Sequence, residues 1–317
     1  MNARSAGVLL AVFALAPAAP RAERPLTPAA PPRWSGTSHH YTIGARIRPL
    51  LFWIGKDDVG DAAISTERNT DGAAYAVLIG TDPDRTPRRI NRWGYISEEI
   101  RGDRATVVGL MTESDEASVS EAEANLKRQN GERTFNVIRT SVTGADAHSV
   151  VTSVVAPAEY TFRRVDEVLN LVDVRGREGT TRLLKMPAGT RPGLLAGLAD
   201  VIRIQVAQWQ TLHTVSPAAA ITYVYHGKLY ELRAVRSRTV SNLRAGDVIY
   251  PHAIASQFQI KNPRDGELTE FSVTFAADGP LAETVLRATY QPRWWIEIQL
   301  SLDDTKSAQA FAPRSNP

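Results

Sequence analysis

The sequence has 317 residues, a net charge of +3 and no cysteine, and 43% of its residues are hydrophobic. This composition excludes a chain that is disordered throughout, and the lack of cysteine excludes disulfides, thiol catalysis and cysteine-ligated zinc. Residues 1–22 contain two arginines and no acid, so the net charge of the remaining residues is 3 − 2 = +1. A nucleic-acid partner would need clustered positive charge, and we therefore expect none.

The first 22 residues are typical of a secretory signal peptide. Arg4 supplies the positive charge, residues 7–15 form an apolar run, and Ala16-Pro17-Ala18 has the small-residue spacing that signal peptidase accepts. No later segment approaches the roughly 20 apolar residues of a transmembrane helix. We therefore expect cleavage after Ala18 or Ala22, and an exported protein, periplasmic or extracellular, with no transmembrane segment in its mature part.

The rest of the chain divides into four segments by composition and periodicity. Residues 23–39 are rich in proline and alanine and predict a disordered linker. Residues 40–175 predict a β-rich domain with one or two helices, and residues 176–304 predict a helix followed by an antiparallel β meander. Residues 305–317 predict a disordered tail. Periodicity leaves open whether the two central segments are separate domains or one continuous structure.

The first central segment contains several runs that favour strands, together with two predicted helices. Residues 56–60 predict a turn. Ser118 and Glu121 have capping-box spacing, which predicts a helix from Ser118 to Gln129, and a second helix is predicted from Thr161 to Val172. The strand candidates are residues 61–66, 73–80, 88–96, 104–112, 133–141 and 148–156.

The second central segment gives the clearest periodicity. Apolar residues at helical spacing predict a helix over residues 190–209. A hairpin is predicted at His226-Gly227-Lys228, and four runs of period-2 alternation between residues 257 and 302 predict the meander. The apolar stripe of the helix needs an apolar surface, and the apolar face of the meander is the obvious candidate. The whole pattern predicts a mainly β (α+β) protein with antiparallel, curved sheets, as a half-barrel or a sandwich, and a few packing helices.

The stretch from Arg88 to Tyr95 is the most unusual in composition. An arginine and aromatic face can hold an anionic or sugar ligand by stacking and bidentate hydrogen bonds. The alternative is an amphipathic strand whose arginines pair with Glu98 and Glu99 or stay solvated. Trp295 is a second candidate contact residue, or else covers a neighbouring loop. The predicted ligand- or partner-binding residues are Arg89, Asn91, Arg92, Trp93, Tyr95 and Trp295.

No spacing in the sequence matches a known catalytic, metal or nucleotide motif. His39-His40 points in opposite directions on an extended chain and predicts a solvated pair, and Asp82-Pro83-Asp84 predicts a turn. We therefore assign no catalytic residue, no metal ligand and no cofactor.

Residues 257–304 loosely resemble uncharacterised secreted bacterial β-rich families whose folds look like the half-barrels of periplasmic lipoprotein carriers. The turn at Asp278-Gly279-Pro280-Leu281, the strand at residues 286–290 and the final alternation at residues 294–302 carry this resemblance. It implies a curved sheet around an apolar hollow and no known chemistry.

We therefore expect a non-enzymatic periplasmic binding or carrier module for an apolar or amphiphilic small molecule. Two alternatives remain at this point. One is a secreted, glycan-acting hydrolase with dispersed carboxylates, and the other is an envelope assembly partner that binds another protein through the Arg88–Tyr95 face.

Overall fold

The computed structural model describes residues 37–47, 54–86, 89–112, 131–217, 219–245, 248–264, 266–293 and 296–303. The predicted signal peptide, the helix Ser118–Gln129, Trp295 and the C-terminal tail lie outside these residues. Thr37 already belongs to the first strand, so the last three residues of the predicted linker are part of the sheet.

Within the described residues, fourteen strands form one antiparallel sheet. The chain also forms a 3₁₀ turn (Phe162–Arg164) and two α-helices, α1 (Val165–Arg175) and α2 (Leu194–Leu212). The strands are β1 (Thr37–Ile47), β2 (Ile54–Asn69), β3 (Gly72–Thr81), β4 (Trp93–Arg101), β5 (Arg104–Thr112), β6 (Glu132–Thr143), β7 (Asp146–Pro157), β8 (Arg177–Lys185), β9 (Ile221–Tyr225), β10 (Lys228–Ala245), β11 (Val248–Lys261), β12 (Leu268–Ala276), β13 (Val285–Arg293) and β14 (Ile296–Leu302).

The strand order is β8-β7-β6-β5-β4-β3-β2-β1-β14-β13-β12-β11-β10-β9. Each half of the chain is a meander of sequential neighbours, and the two halves join where Tyr41 of β1 lies opposite Leu302 of β14. The two edges of the sheet are therefore β8 and β9, which are neighbours in the chain and are linked by the segment that contains α2.

The sheet is curved around α2. This helix contacts β3 and β4 in one half and β9 and β10 in the other, although β4 and β9 are nine positions apart in the strand order. A single helix reaches both only if the sheet bends around it, so α2 lies on the concave face. The prediction of a mainly β, antiparallel, curved fold with few helices is confirmed.

The main core lies between α2 and the C-terminal strands. The buried side chains of Leu194, Val201, Ile202 and Val206 on α2 pack against aromatic and aliphatic residues of β9 to β12. The predicted contact between this helix and the apolar face of the meander is thus confirmed. Its strand side includes Tyr223, Leu232, Phe258, Ile260, Phe271 and Phe275.

A second core lies on the convex face, under α1. Val168 and Val172 of this helix pack with Trp93 of β4 and Phe135 of β6. Side chains alternate between the faces of a strand, so Trp93 and Glu98, five residues apart, point to opposite faces. The 3₁₀ turn and α1 together cover residues 162–175, close to the predicted helix from Thr161 to Val172.

Several predicted element boundaries are wrong. Residues 56–60 belong to β2, where a bulge opposite residues 43–45 and a positive φ at Asp58 produce the irregularity that the sequence suggests as a turn. The candidate strand 88–96 begins only at Trp93 and continues to Arg101. Strand β8 was not predicted, because it is an exposed edge strand with no apolar alternation. No helix among the described residues has the length and apolar character needed to cross a membrane.

The packing of the 3₁₀ turn on β3 gives a test of the convex core. A methyl group at Gly80 would overlap the ring of Phe162, which is buried against the strand. We expect Gly80→Ala to lower the free energy of unfolding by about 1–3 kcal/mol, because the ring or the strand must shift. Urea denaturation measures this change.

Gly94→Ala is the matched control, since Gly94 lies on the neighbouring strand and neither glycine has a positive φ. Its added methyl group would meet only one carbonyl oxygen, at 3.5 Å. We expect a change between zero and a gain of about 1 kcal/mol. Equal losses from both variants would contradict this packing of Phe162 on β3.

Candidate functional site

Glu98 is a buried carboxylate on the concave face that binds the first turn of α2. It shares its face of β4 with Ile96 and Ile100, and its side chain is 1% exposed. Its two carboxylate oxygens accept hydrogen bonds from the backbone N–H groups of Leu195 and Ala196, at 2.7 and 2.8 Å. These N–H groups have no partner within a helix, so a strand in the other half of the chain caps α2.

Gly193 makes this long-range cap possible. It is the N-cap residue of α2, with an extended backbone and no side-chain cap of its own. A Cβ at this position would overlap the carboxyl group of Glu98. The absence of a side chain at Gly193 therefore leaves the space that the Glu98 carboxylate occupies.

Burial raises the pKa of Glu98 to about 7, although the hydrogen bonds from Leu195 and Ala196 lower it. The loss of hydration disfavours the charged form more than two backbone donors favour it. The group therefore holds its proton more tightly in the folded protein than in water, and with a pKa of about 7 it is partly protonated at neutral pH.

Two tyrosines of β9, Tyr223 and Tyr225, lie near this carboxylate. The rings of Tyr223 and Tyr230 are stacked with centroids 5.5 Å apart, and the hydroxyl of Tyr225 approaches the backbone of Gly109 on β5. Burial raises the pKa of Tyr223 and of Tyr225, and the neighbouring tyrosines and Glu98 add to the effect. The Tyr223 hydroxyl is buried without a hydrogen-bond partner among the described residues. It is a polar group that the closed structure leaves unsatisfied.

The two edges of the sheet meet beside this cluster at what we call the seam, formed by Arg191 against β9 and Arg182 of β8 against His226. The Arg191 N–H donates to Thr222 O at 2.8 Å, and the Val224 N–H donates to Arg191 O at 3.0 Å. Arg182 donates from Nη1 to His226 O at 3.1 Å. Burial, followed by the charges of Arg182 and Lys228, lowers the pKa of His226 to about 4, so this histidine is neutral at neutral pH.

Polar contacts also hold the rest of α2 in place. Gln205 donates from Nε2 to Ser237 Oγ at 2.6 Å and accepts from Ser256 Oγ at 2.8 Å. Near the helix end, Trp209 packs on His252 with ring centroids 4.9 Å apart. His252 is hydrogen-bonded to Asp278 at 2.7 Å. Polar side chains therefore hold α2 at its start, middle and end.

Three of the residues predicted to bind a ligand are buried on or next to the convex face. Asn91 donates from Nδ2 to Ala158 O and Tyr160 O at 2.9 and 3.0 Å, and the Trp93 indole donates to Tyr160 O at 2.8 Å. Tyr95 is also buried, and burial raises its pKa to about 12. The side chains of Asn91 and Trp93 therefore anchor the loop that leads to the 3₁₀ turn.

The two predicted arginines lie apart from this buried group. Arg89 is exposed and pairs with Asp84 at 3.0 Å, while Arg92 is half-buried with its backbone N–H bound to Thr81 Oγ1 at 2.8 Å. The carboxylate partners suggested for them lie elsewhere, since Glu98 caps α2 and Glu99 pairs with Arg101 at 2.5 Å. Ligand binding by this stretch and by Trp295 stays a prediction.

Sequence reasoning missed Glu98, Gly193, Tyr223 and Arg182. One signal was present, because an acid between Ile96 and Ile100 on the same face of a strand is out of place unless it has a buried partner.

His40 was expected to be solvated, but it is buried with Nε2 3.4 Å from Asp61 Oδ1. In the described part of the chain, no three His, Asp or Glu side chains are grouped to hold a metal ion.

The cap at Gly193 generates a specific prediction for stability. The methyl group of Gly193→Ala would push the Glu98 carboxylate off the N–H groups of Leu195 and Ala196. We expect a loss of about 1–3 kcal/mol in the free energy of unfolding, because a buried carboxyl and two donors lose their partners. Chemical denaturation at pH 7 measures it.

Gly197→Ala, one turn further along α2, serves as the control. Its methyl group would make ordinary contacts of 3.6 and 3.8 Å with Ile221 and Leu232. Replacing a glycine inside a helix should raise stability by up to about 1 kcal/mol. A Gly193→Ala protein as stable as Gly197→Ala would show that the Glu98 cap contributes nothing.

Comparison with protein-family models, with curated protein sequences and with solved structures gave no significant match. The function is therefore inferred from the geometry of α2, the concave face and the seam.

Proposed function

We propose that this protein is an exported, non-enzymatic binding or carrier module that takes up an apolar or amphiphilic small molecule between α2 and the concave face. The observation that carries the proposal is the position of α2. This one helix lies over an apolar, aromatic surface and is held there by polar contacts along its length.

The surface under α2 has the chemistry of an apolar binding site. Phe258 and Phe271 are stacked with ring centroids 5.3 Å apart, and Phe275, Ile260 and Leu232 are fully buried beside them. Ligand sites of this kind are lined mainly by apolar and aromatic side chains with a few polar groups. A ligand that replaces the apolar stripe of α2 would keep this surface out of water.

The polar contacts of α2 favour a helix that can separate from the sheet. Hydrogen bonds such as those of Gln205 with Ser237 and Ser256 exchange for bonds to water when the helix moves, so each contributes only about 1 kcal/mol net. Water cannot replace the apolar contacts that are lost when the helix moves, but an apolar ligand bound in its place can. An apolar ligand can therefore offset most of the cost of moving α2.

The start of α2 would suit the polar end of an amphiphile. The Tyr223 hydroxyl has no partner among the described residues, and Tyr223 lies close enough to Glu98, which binds the first helical turn, for the carboxyl group to act on its titration. Buried apolar side chains occur along α2 from Leu194 to Val206. The helix thus offers polar groups at its first turn and apolar side chains along its length, the two chemistries that an amphiphilic ligand needs.

Export is supported by the sequence of residues 1–22, with its positive charge, apolar run and small-residue cleavage spacing. An aqueous compartment outside the cytoplasm is a setting in which an apolar molecule needs a protein cover.

The geometry gives less support to the alternatives. The raised pKa of Glu98 is one that a general acid needs, but both its oxygens bind α2 and the side chain is 1% exposed. A partner face over Arg88–Tyr95 would have to work without Trp93 and Tyr95, whose side chains are buried.

The proposal predicts uptake of N-phenyl-1-naphthylamine, a dye that fluoresces in apolar surroundings, and loss of uptake when α2 is tethered. The chain has no cysteine, so Gly197→Cys with Ile221→Cys introduces the only thiols. A Cβ at Gly197 lies 3.6 Å from Ile221 Cγ2, so the two side chains are in direct contact and a sulfur on each is within reach of the other. We expect the oxidised variant to lose at least tenfold in apparent dye affinity.

The same variant after reduction is its own control and should bind like the parent protein. Dye titration of the parent, oxidised and reduced proteins gives the comparison. A parent protein that takes up no apolar dye, or an oxidised variant that binds as well as the reduced one, would contradict the proposed site.

A further inference from the structure

The contact between Glu98 and α2 is unusual in where its two parts come from. The carboxylate belongs to β4, in the N-terminal half of the chain, and the donors belong to the first turn of α2, 97 and 98 residues later. The contact bridges the concave face beside the seam. Any movement of the start of α2 away from the sheet has to break both hydrogen bonds.

We propose that the Glu98 carboxyl group is a latch, a breakable contact that holds the first turn of α2 closed over the concave face, and that its release controls access of the ligand. The inference rests on the proposed function, since it concerns the regulation of the same site. Its physical basis is that Glu98 is desolvated when α2 is closed and hydrated when α2 is open.

No charged side chain facing Glu98 from the described elements packed around it acts on its titration. Strand β3 contains no charged residue and places Tyr75 opposite Glu98, with the Tyr75 hydroxyl accepting from Arg68 at 3.2 Å. Strand β5 places Val107 opposite Glu98. Strand β9 presents Tyr223 and Tyr225, and since burial raises the pKa of both, they are neutral phenols at neutral pH. Beside the helix start, Arg191 pairs with Asp200 of α2 at 2.5 Å, and Asp200 also binds Arg203. Desolvation and the two backbone donors therefore set the behaviour of the carboxyl group.

The direction of the pH effect follows from linkage. With α2 closed, the pKa of Glu98 is about 7, whereas a hydrated glutamate titrates near ~4.3. The closed state binds the proton more tightly, so acid favours closure and the closed state is lost as the pH rises through 7. Between pH 5.5 and 8 the ratio of open to closed molecules should rise roughly tenfold to thirtyfold.

The experiment compares the parent protein with Glu98→Gln and Glu98→Ala between pH 5.5 and 8. Glutamine is neutral at every pH and keeps one acceptor oxygen, so its closure should not depend on pH. Alanine removes both acceptors together with the titratable group, so its closure should not depend on pH either. The two readouts are the dye uptake rate and the hydrogen-exchange protection factors of the Leu195 and Ala196 amides, corrected for intrinsic exchange.

For the parent protein we expect faster uptake and at least tenfold lower protection at pH 8 than at pH 5.5. Glu98→Gln should show neither change. If Glu98→Ala fails to fold, the glutamine variant alone still decides the question. A glutamine variant with the same pH dependence as the parent would overturn the latch.

A covalent latch at the same place gives an independent test. Glu98→Cys with Gly193→Cys puts two thiols where the carboxyl group and the helix N-cap now meet. The oxidised form should take up dye slowly at every pH, and the reduced form should take it up quickly at every pH. Equal uptake by both forms would overturn the proposal.

The two proposals fail in distinguishable ways. If no protein takes up dye at any pH, including the reduced cysteine variant, the proposed function is wrong, and the protection factors of Leu195 and Ala196 still test the latch. If dye binds but neither readout differs between the parent protein and Glu98→Gln, the binding function stands and the latch is wrong.

Discussion

The position of α2 depends on an acceptor for its buried first turn. The N–H groups at the start of a helix have no partners within the helix, and Gly193 supplies no side chain to replace them. Glu98 of β4 provides the acceptor, and in doing so it connects the two halves of the chain across the concave face. The described sheet edges meet at the seam through Arg191 and Arg182, and Arg191 lies three residues before the start of α2, so the cap and the seam adjoin.

The period-2 and helical patterns were sufficient to predict the C-terminal meander, the hairpin at His226 and the helix that covers them. In these elements one face is buried, so apolar residues recur at the spacing of that face and the pattern is clear in the sequence. The pattern failed where burial is weak. Strand β8 is an exposed edge. The outer half of β10 carries exposed arginines at Arg236 and Arg238, and its core contacts at Val240, Leu243 and Ala245 do not follow a period of two.

The functional residues were harder to predict for a related reason. Trp93 and Tyr95 have the composition of a binding face, but their polar atoms and rings serve the convex core. Glu98 does not have the composition of a binding face. An acid between two isoleucines on one face of a strand predicts a buried partner, but the pattern does not identify that partner. Its partners are backbone groups almost 100 residues away, and backbone donors leave no mark in a sequence.

A local cap would have held α2 more simply. A serine or threonine at the N-cap accepts the same hydrogen bonds without burying a charge. This chain has glycine there and a carboxylate that must lose its hydration whenever the helix closes, which is the costlier solution. A serine cap has no titration near neutral pH, whereas the Glu98 carboxyl has a pKa of about 7. The arrangement therefore gives up stability in the closed state and makes the position of α2 responsive to protonation, which a purely structural cap cannot do.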